Sequence, residues 1–118
     1  PQMWAQLRTL GTLWETTTGQ FLVSPTPVAD LARSRNATPK TTFVNGYQDF
    51  AGWQPFRIWY SAATGAHWAS AEFARRWVPA LGLATSSEKW VNGSTRVNFQ
   101  RGYMTWTPWL GVRIHMSG

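Results

Sequence analysis

Carboxylates, histidines and cysteines come first, because most hydrolytic and metal chemistry needs them in groups. The chain has five acids, Glu15, Asp30, Asp49, Glu72 and Glu88, two histidines, His67 and His115, and no cysteine among its 118 residues. Glycosidic cleavage takes two carboxyl groups about 5 to 9.5 Å apart across the scissile bond. No two of the five acids make a short-range pair along the chain, and Glu72 and Glu88 have structural explanations, one at a helix start and one in a turn. The histidines have no neighbouring acid at metal-ligand spacing. A glycine-rich phosphate loop and a Ser-His-Asp order are also missing. These observations point to binding rather than catalysis: no enzyme activity, no cofactor and no metal are expected.

The residues that could bind are aromatic. Nine tryptophans exceed what the core of so short a chain needs. A Trp ring offers a large apolar face and one N–H, which suits cores, subunit contacts and sugar or base stacking alike. Trp4 and Trp77 lie on helical apolar stripes and are expected in the core. Trp59 and Tyr60 are adjacent, so in a strand they face opposite ways. Trp106 and Trp109 flank Thr107-Pro108 at a strand end, and Trp53 sits in a turn, Trp53-Gln54-Pro55-Phe56, the place expected to expose a ring. Candidate stacking residues are therefore Trp53, Tyr60, Tyr103, Trp106 and Trp109, with Gln48, Asp49, His67, Gln100 and Arg101 as hydrogen-bond partners. The net charge is +6, and nine of the eleven basic residues are arginine. The basic residues are scattered, which fits a solvated surface with weak attraction to polyanions.

The elements that must position these rings read as follows. Met3, Trp4, Leu7 and Leu10 have helical spacing, so a short amphipathic helix is expected within residues 3–14. Pro25 and Pro27 are expected to stop any helix, and residues 30–42 to form a polar surface loop with at most one helical turn. Strands are expected near Thr42 to Val44 and Phe56 to Tyr60. A helix is expected from Ser70 to Val78, with Ala74, Trp77, Val78 and Leu81 as its apolar stripe and Pro79 at its end. Further strands follow over Arg96 to Phe99, Tyr103 to Trp106 and Val112 to His115. In the last, Arg113 and His115 are exposed if Val112 and Ile114 face inward. At this length the chain is expected to be one domain. No apolar run reaches the roughly 18 residues of a membrane helix.

The chain repeats itself. An offset of 46 aligns Ile58 with Met104, Tyr60 with Trp106, Ser61 with Thr107 and Gly65 with Gly111, and an offset of 49 aligns Phe50 with Phe99. A second echo pairs Leu22 to Thr26 with Leu81 to Thr85. The expected fold is α+β, a small module of two degenerate repeats, 1–67 and 68–118, each a short helix packed on antiparallel strands. Phe50-x-Gly52, Ile58-Trp59-Tyr60-Ser61, Thr64-Gly65-Ala66-His67, Phe73, Trp77 and Leu81-Gly82-Leu83-Ala84-Thr85-Ser86-Ser87-Glu88 resemble the LGFP repeat. Phe99-Gln100-Arg101-Gly102 with Trp106-Thr107-Pro108 resembles its strand part again. Ala84 stands where that family usually has Pro, and Gly111 is followed by Val112-Arg113 rather than Ala-His. The resemblance implies a non-catalytic module of secreted, cell-wall-associated actinobacterial proteins that holds its parent near peptidoglycan or arabinogalactan.

The expected partner is thus cell-wall polysaccharide, bound weakly per site and strengthened by repetition. The chain opens on Pro1 rather than Met, which leaves room for a removed leader. Two rival readings are an assembly role, in which the aromatics bury against other subunits, and single-stranded nucleic-acid binding. The second is disfavoured, since no local run mixes basic and aromatic residues.

Overall fold

The computed structural model describes residues 12–15, 19 and 21–117. Among the described residues the architecture is mixed: two helices and antiparallel strands in three sheets. β1 (Thr12–Glu15) and β2 (Phe21–Ser24) form a hairpin. Helix α1 (Thr26–Ser34) follows, then β3 (Thr38–Pro39), β4 (Tyr47–Ala51), β5 (Phe56–Ser61) and β6 (Gly65–Ser70) in a four-stranded meander. Helix α2 (Ala71–Arg76) and a 3-10 turn (Pro79–Leu81) lead into a second meander of β7 (Lys89–Val91), β8 (Ser94–Phe99), β9 (Gly102–Thr107) and β10 (Gly111–Met116).

The last three strands of the two meanders pair in the same register, whereas β3 and β7 pair at different places along β4 and β8. Ser61 pairs with Gly65 at the β5–β6 turn and Thr107 pairs with Gly111 at the β9–β10 turn. Ser61 Oγ accepts the Thr64 N–H and Thr107 Oγ1 accepts the Leu110 N–H, so each turn is closed by its own first hydroxyl. Gly65 and Gly111 then take positive φ, +76° and +68°, a left-handed conformation that a Cβ would oppose. That is why a hydroxyl and a glycine recur four residues apart in both segments. Other bonds match at an offset of about 45 residues. The Lys40 N–H bonds Asp49 O as the Thr85 N–H bonds Asn98 O, and the Asp49 N–H bonds Thr41 Oγ1 as the Asn98 N–H bonds Ser86 Oγ. The Phe43 N–H bonds Val23 O as the Glu88 N–H bonds Trp68 O. Residues 40–43 are therefore the hydrogen-bonding counterpart of 85–88. Leu22 to Thr26, the partner expected from the second echo, belongs instead to β2 and the start of α1.

Two hydrophobic clusters lie on opposite faces of β5. Ile58 and Phe56 join Phe50, Val28, Ala32 and Ala37 under α1. Trp59 joins Phe73, Leu81, Val97, Phe99 and Met104, between the first meander and the second. The alternation of β5 thus sends one ring into each cluster: Trp59 is fully buried, and Tyr60 lies edge-on to Phe43 at 6.3 Å.

Several expectations from sequence are corrected. Thr12–Glu15 is strand, so the helix expected over 3–14 does not include them, and its remainder lies outside the described residues. Residues 26–34 are a helix, not a loop: Pro25 is the N-cap and Pro27 sits in the first turn, where no backbone N–H is needed. Its C-terminus closes with Asn36 at φ +54° and an Ala37 N–H bond to Ala32 O, the pattern that satisfies a last-turn carbonyl. Among residues 42–44, only Val44 makes a bridge, to Tyr47. Helix α2 ends at Arg76, so Val78 is exposed rather than on a helical stripe. Ile114 is exposed, and His115 is half-buried because it stacks on Tyr103.

Candidate functional site

Cross-strand pairing puts two indoles on one face of the second meander. Trp90 is directly opposite Thr95, Thr95 opposite Trp106, and Trp106 opposite Val112. Directly paired residues in an antiparallel sheet share a face, so these four form one row. Trp90 and Trp106 are two strands apart, about 9 to 10 Å at Cα, with the short Thr95 side chain between them. Trp90 is 68% exposed and Trp106 half-buried, its inner side packed on the second cluster.

Facing this row is the junction of β6 and α2. Ser70, Glu72 and Phe73 from the junction, Glu88 from the crossing loop, and Thr95 and Trp106 from the sheet line a cleft of about 190 Å³. Glu88 is held in place: its Oε1 accepts the Ser70 N–H at 3.0 Å and the Ser70 hydroxyl at 2.7 Å. A second hollow of about 220 Å³ adjoins it through Glu72 and adds Arg75, Arg76, Gly111 and Val112. The combination of an indole wall, two carboxylates, two hydroxyls and two guanidinium groups can stack on one planar apolar face and hydrogen-bond the rim of the same molecule. Behind the cleft, Arg35 lies flat on Trp68 at 3.4 Å and near Phe56 at 4.8 Å. Burial lowers its guanidinium below the ordinary value, while Glu88 pulls in the other direction.

The residues expected from sequence do not gather in one place. Trp106 lines the cleft. Trp53 is 95% exposed on the β4–β5 loop, and Trp109 is 74% exposed at the β9–β10 turn. Tyr60 packs in the first cluster, and Tyr103 lies on the opposite face of the second meander from Trp106. Gln48 is fully buried, taking the Ser24 hydroxyl on Oε1 and donating from Nε2 to Thr41 O at 2.7 Å, so it is a core bonding residue with no face toward a ligand. Asp49 is paired with Arg57, at 2.6 Å to Nε and 3.2 Å to Nη2. His67 Nε2 meets Thr64 O at 2.7 Å within its turn. Gln100 Oε1 accepts the Leu83 N–H just after the 3-10 turn, and Arg101 donates to Ala80 O and Pro79 O within it, so both are used in holding this part of the chain.

Sequence reading missed Ser70, Glu72 and Glu88 as cleft residues, and Trp90 as the exposed ring that extends the Thr95–Trp106 row beside them. The signal for the strand that carries Trp90 was present, since Asn92-Gly93 two residues on is a tight-hairpin dipeptide; its edge position and the exposure of its ring come from the structure. Among the described residues, no group of three His, Cys, Asp or Glu side chains could hold a metal ion, and no helix is long and apolar enough to cross a membrane. No family model matches the chain, and no curated protein is similar to it in sequence.

Proposed function

We propose that this chain is a non-catalytic module that binds a cell-envelope glycan in the cleft between α2 and the second meander. In this reading it is secreted and cell-wall associated, it tethers a parent protein or particle, and its polymer is peptidoglycan or arabinogalactan, as the LGFP resemblance suggests. The observation that carries it is the row Trp90–Thr95–Trp106 beside the Ser70, Glu72 and Glu88 side chains. Sugar rings offer apolar faces for indoles and hydroxyls for carboxylates. The proposed units are two degenerate repeats, each a helix and a four-stranded meander, phased at residues 26–70 and 71–116. The matching turn and loop hydrogen bonds support that phasing.

Retention on purified cell wall, with and without its glycan removed, tests the reading. Trp90→Ala removes a largely exposed ring and leaves the fold intact. Stacking on an aromatic ring contributes about 1 to 3 kcal/mol in nucleic-acid cases, so retention falls roughly fivefold or more for this variant. Equal retention of wild type and variant, or of wall with and without glycan, sinks the proposal. A second reading, subunit assembly, is favoured by exposed Leu110 in the β9–β10 turn and by Ile114 and Met116 on the edge strand β10. Light scattering on the same samples separates it, since assembly gives large particles and no retention.

A further inference from the structure

The other face of the second meander carries a different surface. Lys89 is directly opposite Arg96, Arg96 opposite Thr105, and Thr105 opposite Arg113, so three cations stand in one row across four strands. The next row is Asn98, Tyr103 and His115. Residues 89–118 contain no acid at all. Like charges directly opposed across strands destabilise a sheet, and among the described residues neither ion pair reaches this face.

The corresponding face of the first meander explains why this one is open. By the matching register, Thr105 and His115 occupy the positions of Trp59 and Ala69, which are fully buried against the second meander. Replacing that apolar pair by a hydroxyl and an imidazole makes the face a solvent surface rather than a seat for a further packed unit. Its central ring is already used. Arg96 lies 3.7 Å from the Tyr103 centroid from β8, and His115 stacks on Tyr103 from β10 at 4.5 Å and 13°. Arg96 Nε donates to Asn98 Oδ1 at 2.7 Å and His115 Nε2 meets Thr105 Oγ1 at 3.2 Å, which holds the sandwich upright. With both ring faces filled, Tyr103 presents its edge and hydroxyl and offers no plane to a base or a sugar. What the face presents is positive charge in a fixed row, with hydrogen-bond donors beside it.

We propose that this face binds the anionic groups of an acidic polysaccharide, through Lys89, Arg96 and Arg113. The proposal rests on the glycan reading above and adds the charge class of the polymer. Occupied ring faces argue against single-stranded nucleic acid, whose sequence-tolerant binding depends on stacking, and the charge row argues against an uncharged chain.

The test uses affinity electrophoresis of the full chain in gels containing polygalacturonate, a glycerol-phosphate teichoic acid, neutral arabinogalactan or oligothymidine. Lys89→Gln/Arg113→Gln removes two exposed cations that make no ion pair among the described residues, and circular dichroism verifies its fold; Arg96→Gln is the second variant. The expected result is retardation by at least one acidic polysaccharide, weakened about tenfold or more in the double variant and weakened by added salt. Arabinogalactan binding, if carried by the cleft, responds to Trp90→Ala and not to the double variant. Equal retardation of wild type and the double variant in the acidic gels, or tighter binding of oligothymidine than of either acid polymer, overturns this proposal alone. Absence of retardation in every polysaccharide gel overturns it together with the glycan reading.

Discussion

Ser24→Ala is the most informative single change to the core. Ser24 and Gln48 are both fully buried. The Ser24 hydroxyl accepts the Trp14 Nε1–H at 2.8 Å and donates to Gln48 Oε1, while Gln48 Nε2 donates to Thr41 O. This chain of bonds ties the β1–β2 hairpin to β4. Alanine in place of Ser24 leaves the Gln48 amide oxygen buried without a donor, which costs about 1 to 3 kcal/mol. The Trp14 N–H loses its acceptor too, but that ring is half-buried and water reaches it more cheaply. The expected loss is about 2 kcal/mol, or roughly 8 °C in Tm for a chain of this size. Adding Gln48→Leu removes both ends of the buried bond, and such paired removal is close to neutral. The cycle of Ser24→Ala, Gln48→Leu and the double variant should therefore show a coupling of about 1 to 2 kcal/mol in urea unfolding followed by tryptophan fluorescence. Additive losses, or a Ser24→Ala midpoint equal to wild type, would refute the network. Wall retention per folded molecule should not change in Ser24→Ala; if it did, Gln48 would be reaching a ligand after all.

Two further predictions concern the sheets. An ideal Cβ on Gly102 would lie 2.3 Å from His115 O and 3.1 Å from Met116 Cα, both backbone of β10, so Gly102→Ala should cost about 3 kcal/mol as the β9–β10 pairing shifts. A urea midpoint unchanged from wild type would show that the strands approach less closely than this. Asp49→Asn breaks an ion pair whose side chains are 31% and 15% exposed and whose Arg57 also lies 4.0 Å over the Tyr47 ring; a loss of about 1 kcal/mol, reduced in high salt, is expected from thermal melts, and a salt-independent loss would assign the effect to packing instead.

The strands of the second meander were legible because their evidence is local. Alternation over Arg96 to Phe99 and Tyr103 to Trp106, and the hydroxyl-to-glycine spacing of Ser61–Gly65 and Thr107–Gly111, specify pairing and turns within a few residues. Helix α1 was not legible, because Pro25 and Pro27 read as breakers until the chain's entry into the helix shows them at the cap and first turn, where a missing N–H costs nothing. The site was legible in kind but not in place. Exposure of Trp53 and Trp109 followed from turn composition, whereas Gln48 looked like a surface amide and is the most deeply bonded polar residue of its strand.

By itself, then, the sequence determined pairing where alternation meets a turn of fixed length, as at Thr107–Gly111, since a period of two leaves little freedom in register, but it did not mark β1 or β6 as strands. Only the tertiary structure decided which face of each sheet is covered. Trp59 is buried because a second meander packs against it, and the equivalent face of that second meander, bearing Thr105 and His115, meets no further element of the described chain. Burial of a face depends on residues some 45 positions away, and no alternation within a strand records what will be stacked upon it.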